Sequence, residues 1–181
     1  MTEAINDFEL VKQFLGGSEA AFNKIVIKYQ DKIYWHARRM TGNHLDADEI
    51  VQEVLLVMYN KLKTFQFKSS LYTWIYRITS TRSINLLRKK QVKRFFSFEE
   101  DETLNLRASG DILKNIEDKE KVEKINKALL KLPVKQREVF IMRVFDELSY
   151  EEIAEITGKT TGGLKSNYFH AVNKIAELVK K

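Results

Sequence analysis

The 181-residue sequence has no cysteine, one proline, seven glycines and three histidines. Without cysteine there are no disulfides, no thiolate nucleophile and no cysteine-based metal site. The histidines (His36, His44, His170) lack zinc-ligand spacing, and no glycine-rich phosphate loop is present, so we expect no metal and no cofactor. Few prolines and glycines leave few hairpin turns, and abundant Lys, Glu, Leu and Ile favour helix. The sequence therefore predicts an all-α fold.

Long apolar runs are also absent, since no stretch reaches the roughly 18 residues of a transmembrane helix. The first ten residues lack the basic and then apolar layout of a signal peptide. Apolar residues make up 44% of the chain, which is enough for a packed core. We therefore expect a cytoplasmic protein of one or two small domains.

The charges are unevenly distributed along the chain. Residues 1–95 have 16 basic and 9 acidic side chains, residues 96–123 have 4 and 9, and residues 124–181 have 11 and 7. The corresponding net charges are +7, −5 and +4. This pattern predicts two helical domains, residues 1–95 and 119–181, joined by a flexible acidic linker over residues 96–118.

One segment, from Val54 to Phe98, contains no acidic residue but ten basic and nine aromatic ones. A solvated basic face over an aromatic core is one interpretation. We favour nucleic acid, because cations bind phosphates and aromatic rings stack on unpaired bases. The basic residues are Lys61, Lys63, Lys68, Arg77, Arg82, Arg88, Lys89, Lys90, Lys93 and Arg94.

A helix is predicted over residues 46–64, with Asp46 and Glu49 as its capping pair. Its apolar side chains fall on one broad side of the helix. On the opposite side, polar residues surround Leu56. A single exposed leucine is common in soluble proteins. An apolar centre with a polar rim is equally typical of a small protein-docking patch.

The C-terminal block predicts a helix-turn-helix. Ser149 and Glu152 form a capping box, Gly158 ends that helix, and Thr160 caps the next one. An ordinary αα-hairpin on a bundle surface is the alternative interpretation. The outward side of the last helix has no acidic residue before Glu177, as a helix in a DNA major groove requires. Its members are Gly162, Lys165, Ser166, Phe169, His170 and Asn173.

Three segments, beginning at Asp46, Phe65 and Leu132, together resemble the extracytoplasmic-function (ECF) sigma factors. These are compact members of the sigma-70 family of bacterial RNA polymerase subunits. The resemblance covers residues 7–178 and implies sigma region 2 in the first block and region 4 in the last. It implies an initiation factor that binds core RNA polymerase, recognises the minus-ten and minus-thirty-five promoter elements and helps melt the DNA.

The resemblance also implies partners and site residues. The partners are the β′ and β subunits of core polymerase, promoter DNA and an anti-sigma factor, usually one tethered to the membrane. The polymerase-binding residues are Asp48, Glu49, Gln52, Glu53 and Leu56. The minus-ten residues are Phe65, Gln66, Phe67, Lys68, Tyr72, Trp74, Arg77, Thr81, Arg88, Lys89 and Lys90. The minus-thirty-five residues are Thr161, Lys165, Ser166, Phe169 and His170.

Two residues complicate the assignment of site residues from the family resemblance. Thr81 stands where family members often have Asn, which helps to read a flipped base. Trp74 lies near an apolar stripe with Leu71, Ile75 and Ile78, so it is either a core residue or a DNA contact.

Two other function classes compete with this one. A helix-turn-helix regulator acting without polymerase accounts for residues 119–181, but gives no purpose to the acid-free segment or the Leu56 patch. An enzyme lacks support, because no nucleophile–base pair, metal cluster or phosphate loop is present. The sequence therefore predicts no catalytic residue and no small-molecule substrate.

Overall fold

A computed structural model of the protein describes residues 6–96 and 116–180. Within these ranges the chain forms eight α-helices and one short 3₁₀ turn, Leu62–Thr64, and no strand. The all-α prediction is confirmed. The helices are α1 Asp7–Leu15, α2 Glu19–Thr41, α3 His44–Lys61, α4 Leu71–Phe96, α5 Ile116–Leu130, α6 Val134–Val144, α7 Tyr150–Thr157 and α8 Thr161–Val179.

Local capping chemistry sets the ends of α7 and α8. The Ser149 hydroxyl accepts a hydrogen bond from the Glu152 amide at 3.1 Å, and a Glu152 carboxylate oxygen accepts one from the Ser149 amide at 2.7 Å. Gly158 ends α7 in the left-handed conformation at φ 70°. The Thr160 hydroxyl then accepts from the Gly163 amide at 3.3 Å. The predicted helix-turn-helix is confirmed in these elements.

The predicted start of α3 is wrong. The helix begins at His44, and Asn43 caps it by accepting a hydrogen bond from the Asp46 amide at 3.1 Å. Asp46 is buried, and both of its carboxylate oxygens accept hydrogen bonds from Lys90 Nζ of α4 at 2.7 Å. Its carboxylate therefore binds another helix and does not cap its own.

The central helices extend further than the sequence indicated. α4 continues to Phe96, one residue past the predicted end of the first domain at residue 95, and α5 begins at Ile116, before the predicted start of the second domain at residue 119. Most of the predicted linker over residues 96–118 lies outside the described residues.

The first hydrophobic cluster is formed by residues of α1, α2, α3 and α4. Its fully buried members include Ile25 and Ile33 of α2, Val54 and Met58 of α3, and Ile75 of α4. Their helical spacing places one apolar side of each helix toward the others. This cluster fixes α3 with its opposite side toward solvent.

Two further clusters join helices that precede and follow residues 97–115. Met40 of α2 packs with Leu129 and Ile141. Tyr76 of α4 packs with Val139 and Ile153. The segments predicted as two domains therefore share buried apolar surface with each other.

Buried polar contacts connect the same segments. His36 Nδ1 lies 2.7 Å from an Asp146 carboxylate oxygen, and both side chains are buried. The Arg137 guanidinium donates to the Met40 carbonyl at 2.5 Å and to the Leu129 carbonyl at 2.9 Å. Burial lowers the pKa of Arg137 to about 10. These contacts satisfy polar groups that would be costly to bury alone.

Candidate polymerase and nucleic-acid interfaces

The outer face of α3 is polar with exposed apolar side chains along its length. Leu56 is 64% exposed, and Glu49 and Gln52 are also exposed. Asp48 and Glu53, at the edges of this face, are half-buried. The predicted polymerase-binding residues therefore lie on a single surface, opposite the side of α3 that packs in the first cluster.

Two exposed apolar residues extend this face beyond the predicted set. Leu45 is 74% exposed, and Tyr59 is exposed near the other end of the helix. Sequence reasoning missed Leu45 because it placed the helix start at residue 46, two residues after the observed start at His44. Helical spacing would have found both, since the steps are four, three, four and three along Leu45, Glu49, Gln52, Leu56 and Tyr59. We name these five residues the α3 stripe.

The acidic groups beside the α3 stripe lie close to basic side chains. A Glu53 carboxylate oxygen lies 3.3 Å from an Arg82 guanidinium nitrogen of α4, and an Asp48 oxygen lies 3.2 Å from His44 Nε2. The Tyr59 hydroxyl donates to a Glu19 carboxylate at 3.0 Å, and this bond raises the pKa of Tyr59. Such exposed ion pairs are weak and can exchange for contacts with a partner.

In the loop before α4, the two phenylalanines predicted to contact the minus-ten element differ in exposure. Phe65 is buried, with its ring centroid 5.5 Å from that of Trp74. Phe67 is 38% exposed, and its backbone adopts the left-handed conformation at φ 55°, which is unusual for a bulky residue. Gln66 and Lys68 are exposed. Of the two rings, Phe67 is the one that solvent can reach.

The predicted minus-ten residues at the start of α4 also make contacts within the protein. Tyr72 is half-buried and stacks on Tyr76 at 4.3 Å, and burial raises the pKa of Tyr72 to about 12. Trp74 is half-buried and packs against the first cluster, which agrees with its interpretation as a core residue. Arg77 is exposed and donates to the Glu155 carbonyl of α7 at 2.6 Å. Thr81 is exposed.

The predicted cations further along α4 differ in their surroundings. Arg88 and Lys89 are exposed. Lys90 is half-buried and bonds to the buried carboxylate of Asp46. Lys90 thus has a structural contact within the protein, while Arg88 and Lys89 point to solvent.

The outward side of α8 is open along its whole length. Lys165, Ser166, Phe169 and His170 are exposed, and Phe169 is 63% exposed. Thr161, at the first helical position, is half-buried. The buried side of the helix consists of Leu164, Ala171 and Ile175. Four of the five predicted minus-thirty-five residues therefore form one exposed face, with the half-buried Thr161 at the start of the helix.

Within residues 6–96 and 116–180, no group of three or more histidine, aspartate or glutamate side chains is arranged to bind a metal ion. None of the helices in these ranges is long and apolar enough to cross a membrane.

Comparisons with known proteins place both ends of the chain in one family. Residues 25–92 match the family model described as Sigma-70 region 2. Residues 123–175 match the model described as Sigma-70, region 4. The first match includes α3, the loop and most of α4, and the second includes most of α5 and α8 with the helices between them.

Individual relatives agree with these matches. The chain is 33% identical over 163 residues to the ECF RNA polymerase sigma factor SigW of Bacillus subtilis, covering 86% of this chain and 87% of the relative. It is 32% identical over 194 residues to the ECF RNA polymerase sigma-E factor of Escherichia coli, covering 100% of both. Its fold resembles the sigma factor RpoE of Bartonella quintana, solved in complex with the anti-sigma factor NepR, with a TM-score of 0.75, 24% identity and coverage of 88% of this chain and 96% of that one. The chain therefore belongs to the sigma-70 family of RNA polymerase sigma factors, and within it to the ECF group.

Proposed function

We propose that this sigma factor performs promoter-specific initiation with three separate surfaces. The α3 stripe and its acidic rim bind core RNA polymerase. The loop over residues 65–70 and the exposed side chains of α4 bind the minus-ten element, and the outward side of α8 binds the minus-thirty-five element. The α3 stripe is the observation that best supports this proposal, because packing within the protein does not explain why Leu45 and Leu56 are exposed in one line along the helix.

The geometry of the α3 stripe suits a helical partner. Its apolar members are Leu45, Leu56 and Tyr59, and the first and last of them lie 14 positions apart, or about 21 Å along the helix. Alternating steps of four and three residues are the spacing with which one helix packs lengthwise against another. The family resemblance implies that this partner is the clamp helices of the β′ subunit, and the acidic rim suits a basic surface on them.

The minus-ten surface combines the elements that unpaired DNA requires. Phe67 offers an exposed ring, Lys68 and Gln66 offer polar contacts beside it, and Arg88 and Lys89 offer cations further along α4. An extruded base needs a stacking surface together with a few polar contacts. Because Phe65 is buried, we assign its role to supporting the loop and assign base stacking to Phe67.

The minus-thirty-five surface suits intact duplex DNA. Lys165 and Ser166 present a donor and a hydroxyl from one turn of α8, and Phe169 and His170 follow on the next turn. Short polar side chains on an exposed helix face can reach base edges in a major groove. Their exposure means that α8 can approach DNA without rearrangement of its own packing.

Further properties follow from family membership. Sigma factors act as polymerase subunits and are not enzymes in the catalytic sense, so we assign no catalytic residue. We infer a cytoplasmic location and regulation by an anti-sigma factor, which would hold the chain at the membrane if it is itself tethered there. The alternative of a regulator without polymerase docking is not favoured, because both family matches are to polymerase sigma subunits.

The double variant Leu56→Arg with Gln52→Ala tests the polymerase surface. We expect its affinity for core polymerase to fall about 30-fold or more, as for loss of an interface hot spot. Both side chains are exposed, so the circular dichroism spectrum should not change. Fluorescence anisotropy of the labelled chain measures the affinity.

The matched control is Ile27→Arg, which places the same charge at a 69% exposed apolar residue of α2. This variant should bind core polymerase as the wild type does. A double variant with normal circular dichroism and undiminished affinity would show that the α3 stripe is not the docking surface.

A further inference from the structure

Helix α1 contributes an exposed aromatic ring and a cation next to the loop over residues 65–70. Phe8 is 40% exposed, and its ring centroid lies 4.8 Å from that of Phe67 in an edge-to-face arrangement. Lys12 Nζ lies 4.2 Å from the centroid of the Phe8 ring. Phe67 in turn lies 4.9 Å from the buried Phe65. The three phenylalanines form a continuous row from the core to the surface, and Lys12 stands at its outer end.

The packing of α1 against the first cluster does not depend on Phe8. The residues that attach α1 to the first cluster are Leu10, Val11 and Phe14, and all three are buried. Phe8 and Lys12 are one helical turn apart on a different, exposed side of the helix. Phe8 therefore adds little to the core and faces the loop.

The backbone of the loop supports the same conclusion. A left-handed conformation at a non-glycine residue costs roughly 1 kcal/mol or more, and such strain concentrates at functional sites. At Phe67 this conformation accompanies a ring that remains exposed beside Phe8. The strained residue and the α1 ring thus form one surface.

The charge around this surface suits a polyanion. Helix α1 has two acidic residues, Asp7 and Glu9. Asp7 lies 2.6 Å from Lys28 Nζ and accepts a hydrogen bond from the Tyr29 hydroxyl at 2.6 Å, so its charge is compensated, whereas Glu9 is exposed to solvent. The loop itself belongs to the segment without acidic residues. On α2, Lys32 Nζ lies 5.3 Å from the ring centroid of Tyr72. Lysines from two neighbouring helices therefore stand over aromatic rings beside the loop.

We propose that Phe8 and Lys12 extend the single-strand surface of the loop, Phe8 by stacking on an unpaired base and Lys12 by binding a phosphate. The inference rests on the proposed role of the loop in binding the opened DNA strand. Helix α1 is thereby added to the surface that binds the opened strand, and it precedes residues 25–92, which the region 2 model matches. Lysines and aromatic rings in alternation are the features that bind unpaired DNA with little sequence preference.

The experiment uses the full chain bound to core polymerase, with fluorescein-labelled single-stranded DNA of mixed sequence and the same DNA annealed to its complement. Phe8→Leu keeps an apolar side chain but removes the stacking face, and Phe8→Tyr keeps the face. We expect Phe8→Leu to weaken single-strand binding about tenfold and Phe8→Tyr to bind as the wild type does. Duplex binding should not change in either variant.

Salt dependence tests the cation separately. Lys12→Gln should lower the slope of log affinity against log salt by about 0.7 for single-stranded DNA. Leu15→Ala is the matched control, because Leu15 is another exposed apolar residue of α1 and should leave affinity and slope unchanged.

Phe67→Ala distinguishes this inference from the proposed function. If Phe67→Ala loses single-strand affinity and Phe8→Leu does not, the role of α1 is overturned and the role of the loop stands. If neither variant loses affinity, both are overturned. If Phe8→Tyr and Phe8→Leu lose affinity equally and both lower the Tm, Phe8 acts through packing and the stacking role is overturned.

Discussion

The two helices predicted to contact promoter DNA, α4 and α8, are embedded in the molecule to very different extents. α8 buries one side only and leaves Lys165, Ser166 and Phe169 exposed. α4 packs into the first cluster through Ile75 and into the third cluster through Tyr76. The α8 surface is therefore separate from the core, whereas the α4 surface is continuous with it.

This difference determines how substitutions in each helix will act. On α8, a side chain that contacts DNA can change without opening a cavity, so binding and stability vary independently. On α4, predicted DNA contacts lie within one helical turn of residues that pack against α6 and α7. Arg77 is itself such a residue, because it donates a hydrogen bond to the Glu155 carbonyl of α7. Changes at such positions should alter the fold and DNA binding together, whereas Arg88 and Lys89 of the same helix are exposed.

The largest expected contrast is between two aromatic residues. Tyr76→Ala should lower the free energy of unfolding by about 3–5 kcal/mol, because Tyr76 is a large, fully buried side chain. Phe169→Ala on α8 should stay within about 0.5 kcal/mol of the wild type, because its ring is mostly in solvent. Chemical denaturation monitored by circular dichroism measures both. Equal losses in the two variants would remove the distinction between α4 and α8.

A smaller contrast is expected between two serines. The Ser80 hydroxyl donates to the buried carboxylate of Glu138, which also accepts from Lys159 Nζ at 2.5 Å. Ser80→Ala should therefore cost about 1.5–3 kcal/mol, the range for hydrogen bonds to charged groups. Ser166→Ala removes an exposed hydroxyl and should cost almost nothing in stability, while it weakens binding to minus-thirty-five DNA. The same denaturation series tests the pair, and a stable Ser80→Ala would contradict a structural role for α4 here.

The smallest expected effect concerns α7, which lies between the two helices. Ser149→Ala removes the cap of α7 and should lower the free energy of unfolding by about 1 kcal/mol. Hydrogen bonds from the amide and hydroxyl of Ser149 lower the pKa of Glu152. The stabilising contribution of Glu152 is therefore present above its unfolded-state pKa of about 4.3 and is lost as the pH falls through the lower folded-state value.

Stability measured against pH tests this last effect. The difference between wild type and Glu152→Gln should be largest above about pH 4.3 and should shrink in more acidic solution. Because Glu152 is exposed, solvent screening keeps this pH-dependent part small. A difference that grows on acidification would contradict the capping role.

The prediction of side-chain exposure from the sequence was correct where one helix face sufficed. Leu56 and its polar neighbours lie on the exposed side of α3, and Lys165 and Ser166 lie on the exposed side of α8, as helical spacing indicated. It was incomplete in the loop, where spacing could not show that Phe65 turns into the core and Phe67 turns out. Loop conformation depends on the helices that contact it.

The sequence by itself determined the helices, the family and the local caps, such as Ser149 with Glu152 and the stop at Gly158. The helices and caps depend on residues within a few positions of each other, and the family is indicated by motifs that are each continuous in the sequence, so none of these features depends on tertiary contacts. Only the tertiary structure decided the partners of Asp46, Ser80 and His36. Those contacts join residues 44 to 110 positions apart, and their formation depends on how whole helices cross. Apolar periodicity shows which side of a helix is buried, but it does not show which other helix covers that side.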